Sequence, residues 1–570
     1  MTPGAPASKP FAGEPPVGSR RDFIVARLTP GALSGTAPPE IVTVTAELLA
    51  TSAPAYFYVD ASAGAGAGTV QAAAARFESD VWPAVTGVFG EPASPGVDGD
   101  PRIIVLQADL GGVGGYYSSD DAYLRAMKPQ SNEAEMVYQD VTLGLGFAFD
   151  VVLAHELQHL IQDRNDRGEE AWVNEGLSEN ASGLAGGAVS SISAFARQPS
   201  VQLNRWEQKD FSAHYGAGAA FLRYLAARFG GDTVLGEIAR ASGDGPAGID
   251  EFLAPRGEGL TFRAVFTDWI AANILDRAAG PYANPEPVGA AVEETLSPGA
   301  EEHREANQFG TTYWELSLPG GGAFEVDFAG EAEVPVLPTA PPPGEALLWS
   351  NAEDDVDTTL TRGVDLRDAV DPVLTFRTWY DIERWYDWGY VAVSTDGGST
   401  WRALAGDHTT TDDPVAQAYG PGYSGVSGGG STPEWVEEHV SLAAYAGQQL
   451  LLRFEYITDG ATHGEGWAID DIAVEGAGFR DDDLHDPGWQ RDGWVRLDRL
   501  LPQTYIVRLI AEREGGEPVV LDLPLDARQR GTLRFDAGGL IAPVIAVAGS
   551  TEGTNQPAPY TLSLRRVEAP

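Results

Sequence analysis

The stretch VVLAHELQHLIQ, from Val151 to Gln162, carries two histidines four residues apart and a glutamate directly after the first. On an α-helix, residues i and i+4 share one face a turn apart, so His155 and His159 can each point a ring nitrogen at the same ion. Glu156 is rotated one residue further round, beside the open position, where it can take a proton from a water activated at that ion. This is the H-E-x-x-H arrangement of zinc hydrolases. The flanking Val151, Val152, Leu153, Leu160 and Ile161 call for a buried helix. The bland alternative is a core helix with two hydrogen-bonded histidines.

Catalytic zinc takes three protein ligands and keeps a fourth position for water. The metzincin pattern would place its third ligand, a histidine, at position 165, but this chain has Gln162 and Asn165. WVNEGLSE, from Trp172 to Glu179, offers a glutamate instead, since Glu175 and Glu179 again share one helical face. Glu175 is assigned to the zinc. Glu179 is assigned to hold a ligand histidine by its other nitrogen, as outer partners of metal sites do. Glu169 and Glu170, in the polar turn RNDRGEE, read as solvated.

H-E-x-x-H followed by a glutamate in W-x-N-E-G-x-S-E resembles the gluzincin metallopeptidases. The fuller run, SNEAEMVYQD, LAHELQHLIQ and WVNEGLSE, is similar to their hyicolysin type over about residues 20–280. The spacing from His159 to Glu175 is shorter than in thermolysin-like enzymes. The resemblance implies a zinc endopeptidase, because the G-x-M-E-N segment of gluzincin aminopeptidases is absent from the sequence. It also implies a Tyr or His on a later helix as donor to the oxyanion that develops on the scissile carbonyl. His214 and Tyr215 in SAHYGAGAAFLRYL are the candidates, Tyr215 preferred. Tyr116 and Tyr117 in GGYYSS are candidates to border a substrate-binding edge strand.

These residues need a scaffold. Residues 1–19 are Pro-, Ala- and Gly-rich and read as a flexible lead-in. Short strands follow, beginning with FIVARL, IVTVTAEL, YFYV and RIIVLQ, and helical spacing dominates from about Gly146 to Ala279. Residues 20–305 are expected to form one α+β metallopeptidase domain. Beyond it, short alternating strands separated by Gly, Asp and Pro take over. Residues 306–345 with 477–570 are expected to form a β-sandwich interrupted by an aromatic insert, 346–476, entered through the Pro-rich VPVLPTAPPPGE.

The insert, with LLWSNAEDDVDTTLTR, LTFRTWYDIERWYDWGYVAVSTDGGSTW and LLRFEYITDGATHGEGWAIDDIAV, resembles the jelly-roll module of the immune inhibitor A metallopeptidases. That resemblance does not extend to the catalytic helix. Asp354, Asp355 and Asp357 near its start and Asp470 and Asp471 near its end are hard oxygen donors that suit calcium. STDGGSTW fits the Asp-box pattern S-x-D-x-G-x-T-W, and a single copy reads as a turn in which Asp396 and the glycines fold the hairpin and Trp401 anchors it.

Composition narrows the partners. The chain has 570 residues, more than one core can serve, and a net charge of −46. Such a surface repels nucleic acid and anionic membranes and attracts cations. The lack of cysteine excludes thiol catalysis and disulfide staples. No apolar run is long enough to span a membrane. No signal peptide is visible, and the domain types favour a secreted protein whose signal was removed. The expected function is zinc-dependent hydrolysis of protein or peptide substrates, with the β modules placing the enzyme on a surface or polymer. The rival readings are an adhesion protein with a vestigial metallopeptidase domain and, from the Asp box alone, a glycan hydrolase.

Overall fold

The computed structural model describes residues 9–206, 211–284, 288–292, 294–339, 346–460, 462–481, 484, 486–497 and 500–568. Residues 1–8 of the lead-in and 340–345 of the Pro-rich joint lie outside the described residues. Contacts divide the chain into two compact units. One comprises the chain up to Ala75, Pro92–Gly146 and Thr339–Arg499; the other comprises Arg76–Glu91, Phe147–Pro338 and Leu500 onward. The division does not fall at residue 305. The N-terminal strands group with the insert, and the helices group with the β-sandwich.

In the first unit, six strands form a mixed sheet in the order Arg20–Arg27, Glu40–Thr51, Ala55–Asp60, Ile103–Ala108, Met136–Asp140, Gly115–Tyr117. The two central pairs are parallel and the outer ones antiparallel. Ile103–Ala108 is buried throughout, as a central parallel strand must be. The insert is a two-sheet β module in the same unit. Its long strands are Asp357–Asp365, Val373–Ile382, Trp388–Ser394, Gln449–Ile457 and Gly466–Glu475. They enclose a core that includes Phe376, Phe454, Tyr456 and Trp467. Polar contacts from the insert reach the N-terminal part: Gln417 accepts from Lys128 and donates to Asp120.

The insert ends later than residue 476. Phe479–Asp481 pairs with Gly466–Glu475, Gln490–Asp492 with Asp357–Asp365, and Val495–Leu497 with Leu347–Trp349. Trp489 and Trp494 complete the insert's core. The sequence does not mark this boundary because the strands on either side of it share the same texture.

In the second unit, the strands flanking the insert pair with one another. Ala323–Gly330 lies between Arg530–Asp536 and Ala558–Arg566, and Leu540–Gly549 lies between Tyr505–Arg513 and Thr311–Leu316. The helical part is packed against this sandwich: Tyr313 donates its hydroxyl to the Ile270 carbonyl at 2.9 Å, and Arg508 donates to the Thr267 carbonyl at 2.7 Å.

Three helices matter most: Phe147–Asn165 (the histidine helix), Ala171–Leu184 (the glutamate helix) and Phe211–Phe229 (the tyrosine helix). The histidine helix is buried on nearly every side, and several of its buried polar groups are partnered. Arg76 pairs with Asp150 at 2.7 Å, and Gln162 donates to the Ala239 carbonyl at 3.3 Å. Just past the end of the glutamate helix, Gly186 has a φ of 86°, the left-handed turn-off that glycine adopts without strain. It crosses the tyrosine helix at a point made by two glycines. A Cβ on Gly218 would lie 2.4 Å from the Trp172 carbonyl oxygen, and one on Gly176 would lie 2.8 Å from the Gly218 carbonyl carbon.

Gly218→Ala should therefore push the two helices apart and cost about 1–3 kcal/mol, the usual range for overpacking. Thermal denaturation of the full chain should show a lower midpoint. Gly68→Ala, where a Cβ meets nothing within 4 Å, is the matched control. Equal midpoints would mean that the crossing is not tight.

Candidate metal centre and active site

The histidine and glutamate helices bring three ligand atoms to one point. Nε2 of His155 lies 3.1 Å from Nε2 of His159, and Oε2 of Glu175 lies 3.2 Å and 3.4 Å from them. Nitrogen and oxygen donors about 2.0–2.2 Å from a shared tetrahedral zinc would be roughly 3.3 Å apart. Among the described residues Oε2 of Glu175 is buried yet accepts no hydrogen bond. An orphaned buried carboxylate oxygen facing two ring nitrogens is costly unless a cation completes it. The donor set therefore fits zinc.

The outer partners fix both rings. His155 turns Nδ1 to Glu179 Oε1 at 3.6 Å. His159 turns Nδ1 to Asn174 Oδ1 at 3.0 Å and to Ser178 Oγ at 3.2 Å. Ser178 donates to Gln158, and Ser191 donates to Glu179. Asn174 and Ser178 are contacts that sequence reasoning missed, although both lie within the WVNEGLSE segment; Asn174 sits one residue before the assigned ligand.

Electrostatics follow from crowding charge in a dry place. Burial opposes the charged form of His155, but Glu175, with Glu156 and Glu179, raises it to about 9. Burial would raise Glu175 too, but the His159 and His155 charges outweigh it and hold the carboxyl well below the usual range. Glu156 is 5 % exposed, and burial raises its pKa against the pull of both histidines.

Tyr215 comes to the site. Its ring lies 6.1 Å from that of His155, and its hydroxyl is pushed well above the ordinary value by burial and then by Glu175, Glu156 and Glu179. It stays a protonated donor. Trp206 braces the ring edge-on at 4.7 Å. His214 is buried, 6.0 Å from the ring of Trp206, so of the two candidates Tyr215 is the one set against the histidines. A cleft of about 350 Å³ adjoins, lined by Glu179, Ser190, Ser191, Ala194, Arg197, Ser212 and Tyr215.

Other expectations fare differently. Tyr116 and Tyr117 do form a short edge strand, Gly115–Tyr117, in the first unit. The Tyr116 ring is stacked on Tyr138 at 4.2 Å, and its hydroxyl accepts from the Ala26 N–H. Glu169 is not solvated: it is 3 % exposed and accepts from the Gly245 N–H at 2.8 Å. The Asp box is a closed turn in which Asp396 accepts from Ser394, from the Thr400 N–H and from the Thr400 hydroxyl. Arg453 stacks on Trp401 at 3.8 Å.

The five insert aspartates do not gather as one cluster. Asp357 faces Glu455, while Asp470 and Asp471 lie within the strand Gly466–Glu475. The carboxylates that converge among the described residues are Glu383, Asp387 and Asp459, and the Asp354 carboxylate bears on Glu383 and Asp387. The spacing of Glu383 and Asp387, four apart in DIERWYD, was the sequence signal available for two of them.

Comparison with known proteins bears on the insert. Residues 331–496 match the family model described as Immune inhibitor A-like, MAM domain. The chain is similar to the Pre-pro-metalloprotease PrtV of Vibrio cholerae, 34% identical over 135 residues, which is 24% of this chain and 14% of that protein. It is also similar to Immune inhibitor A of Bacillus thuringiensis subsp. alesti, 29% identical over 157 residues, or 27% of this chain and 21% of that protein. With Bacillopeptidase F of Bacillus subtilis it shares 30% over 101 residues, 18% of this chain and 6% of that protein. The chain thus spans only a small part of these relatives' length, and the likeness falls on the C-terminal module. That module is a metallopeptidase-associated one. Among the described residues no helix is long and apolar enough to cross a membrane.

Glu175→Ala should abolish stoichiometric metal in the dialysed full chain, measured by elemental analysis, because two imidazoles alone hold the ion poorly. Glu179→Gln should retain it but bind about 10- to 100-fold more weakly, the scale of lost outer partners. Full metal content in Glu175→Ala would remove Glu175 from the ligand set.

Proposed function

We propose that this chain is a secreted zinc endopeptidase of the gluzincin type, hydrolysing peptide bonds in protein substrates. The observation that carries the reading is the convergence of His155, His159 and Glu175 on one point, with ligand atoms 3.1 to 3.4 Å apart. Two relatives with names ending in or containing metalloprotease or immune inhibitor share the insert, which supports a peptidase setting. Zinc, when held there, polarises the scissile carbonyl and makes a water acidic enough to attack at neutral pH.

The rest is the work of the chain's own residues. Glu156, adjacent to the ligand His155 and buried, takes the proton from the attacking water and passes it to the leaving amine. Tyr215 donates its hydroxyl to the oxygen that gains charge as the carbonyl carbon becomes tetrahedral. Glu179, Asn174 and Ser178 keep both imidazoles oriented. The cleft beside Glu179 and Tyr215 receives a substrate side chain. The β modules hold the enzyme on its target.

Glu156→Gln keeps the size of the side chain but cannot take a proton. Its zinc content should match the parent while casein hydrolysis falls by about two to four orders of magnitude, the scale of a lost general base. Tyr215→Phe should lower kcat by about 10²–10³ with little change in KM, as for a lost oxyanion donor. A parent chain that binds zinc but cleaves no protein or peptide would instead favour the adhesion reading.

A further inference from the structure

Glu383, Asp387 and Asp459 come from places far apart in sequence yet close in the insert. Glu383 follows the strand Val373–Ile382, Asp387 precedes Trp388–Ser394, and Asp459 follows Gln449–Ile457. The last two strands are neighbours, with Trp388 opposite Ile457, and Asp357 is opposite Ile457 on its other side. The loop before Asp357 therefore brings Asp354 to the same end of the sheet. Backbone bonds hold it there: Asp355 donates to the Asp459 carbonyl at 2.5 Å, and Val356 donates to Thr458 Oγ1 at 2.9 Å.

One carboxylate oxygen from each of Glu383, Asp387 and Asp459 lies within 4.8 Å of the others. Calcium binds oxygens at about 2.3–2.6 Å, so one ion between them can touch all three. The independent observation is a set of buried oxygens without partners. Asp387 is 0 % exposed and its Oδ2 accepts no hydrogen bond among the described residues; its Oδ1 takes the Asp459 N–H at 2.9 Å. Oε2 of Glu383 and Oδ2 of Asp354 are likewise buried and unbonded, and so is the hydroxyl of Tyr456. The other oxygen of Asp354 is held by His463 Nδ1 at 2.7 Å.

Among the described residues no lysine or arginine bears on Glu383 or Asp387. The charges that bear on Glu383 are those of Asp459, Asp387 and Asp354, and burial raises its pKa before they add to it. Asp387 is raised in the same way, by burial and then by Asp459 and Asp354. Carboxylates buried together without a counter-ion are strongly destabilising when ionised. Their arrangement makes sense with a divalent cation as the missing partner.

We propose that Glu383, Asp387 and Asp459, with Asp354 beside them, form a calcium site that ties together one end of the insert's sheet. Oxygen-only ligands and several carboxylates favour calcium over zinc, and ligands spread over separate loops suit calcium's flexible geometry better than the strict octahedron of magnesium. The site is independent of the zinc reading.

The test uses the full chain freed of metal with a chelator and titrated with calcium alone. Equilibrium dialysis should find one calcium per chain that Asp387→Asn and Asp459→Asn each remove or weaken at least tenfold, while Asp470→Asn and Asp471→Asn leave it intact. Terbium in place of calcium should show emission sensitised through Tyr456, lost on calcium addition and in Asp387→Asn. Calcium should also raise the thermal midpoint of the parent by mass action. Two results would overturn the proposal. One is a parent chain that binds no calcium at millimolar free ion. The other is binding that survives in both Asp387→Asn and Asp459→Asn. The parent measurement stands even if one variant fails to fold, and none of the three readouts depends on peptidase activity.

Discussion

Bringing three ligand atoms within 3.4 Å of one another requires two helices whose register cannot drift. Two histidines on one helix face are close by construction, but the carboxylate must arrive from another element at a fixed height. The glutamate helix is held at that height by a crossing so tight that neither Gly176 nor Gly218 has room for a methyl group. The same crossing sets the tyrosine helix, and so brings Tyr215 toward His155. The aromatic packing of Trp172, Phe221, Phe262 and Trp269 lies behind it and makes the arrangement stiff.

Burial gives each charged group its character. In the helical site, carboxylates and imidazoles offset one another, so Glu175 stays ionised while Glu156 is raised. In the insert the charges bearing on Glu383 and Asp387 among the described residues are acidic, and both residues carry a buried oxygen without a hydrogen bond. The two clusters thus differ in ligand chemistry. One mixes nitrogen and oxygen in the manner of zinc, and the other is all oxygen in the manner of calcium.

The comparisons and the geometry address different parts of the chain. Relatives named as metalloprotease or immune inhibitor share the β module, whereas the H-E-x-x-H helix stands on its distances. A shared module does not fix an activity, and function is argued from the site.

The sequence by itself determined what depends on local periodicity. His155, Glu156 and His159 share a helix because four residues make about one turn, and Glu175 with Glu179 follows the same rule. Strand runs such as RIIVLQ were legible because a buried strand must be apolar along its length. The Asp box was legible because all its bonds are short-range. Tertiary structure alone decided what depends on distant segments meeting. It assigned Asn174 and Ser178 to His159 and drew the insert's end past Trp494, because edge strands are recruited by pairing and not by composition. It also replaced a row of adjacent aspartates by Glu383, Asp387 and Asp459. Neighbouring acids on a strand point to opposite faces, whereas acids at the ends of paired strands meet at one end of the sheet.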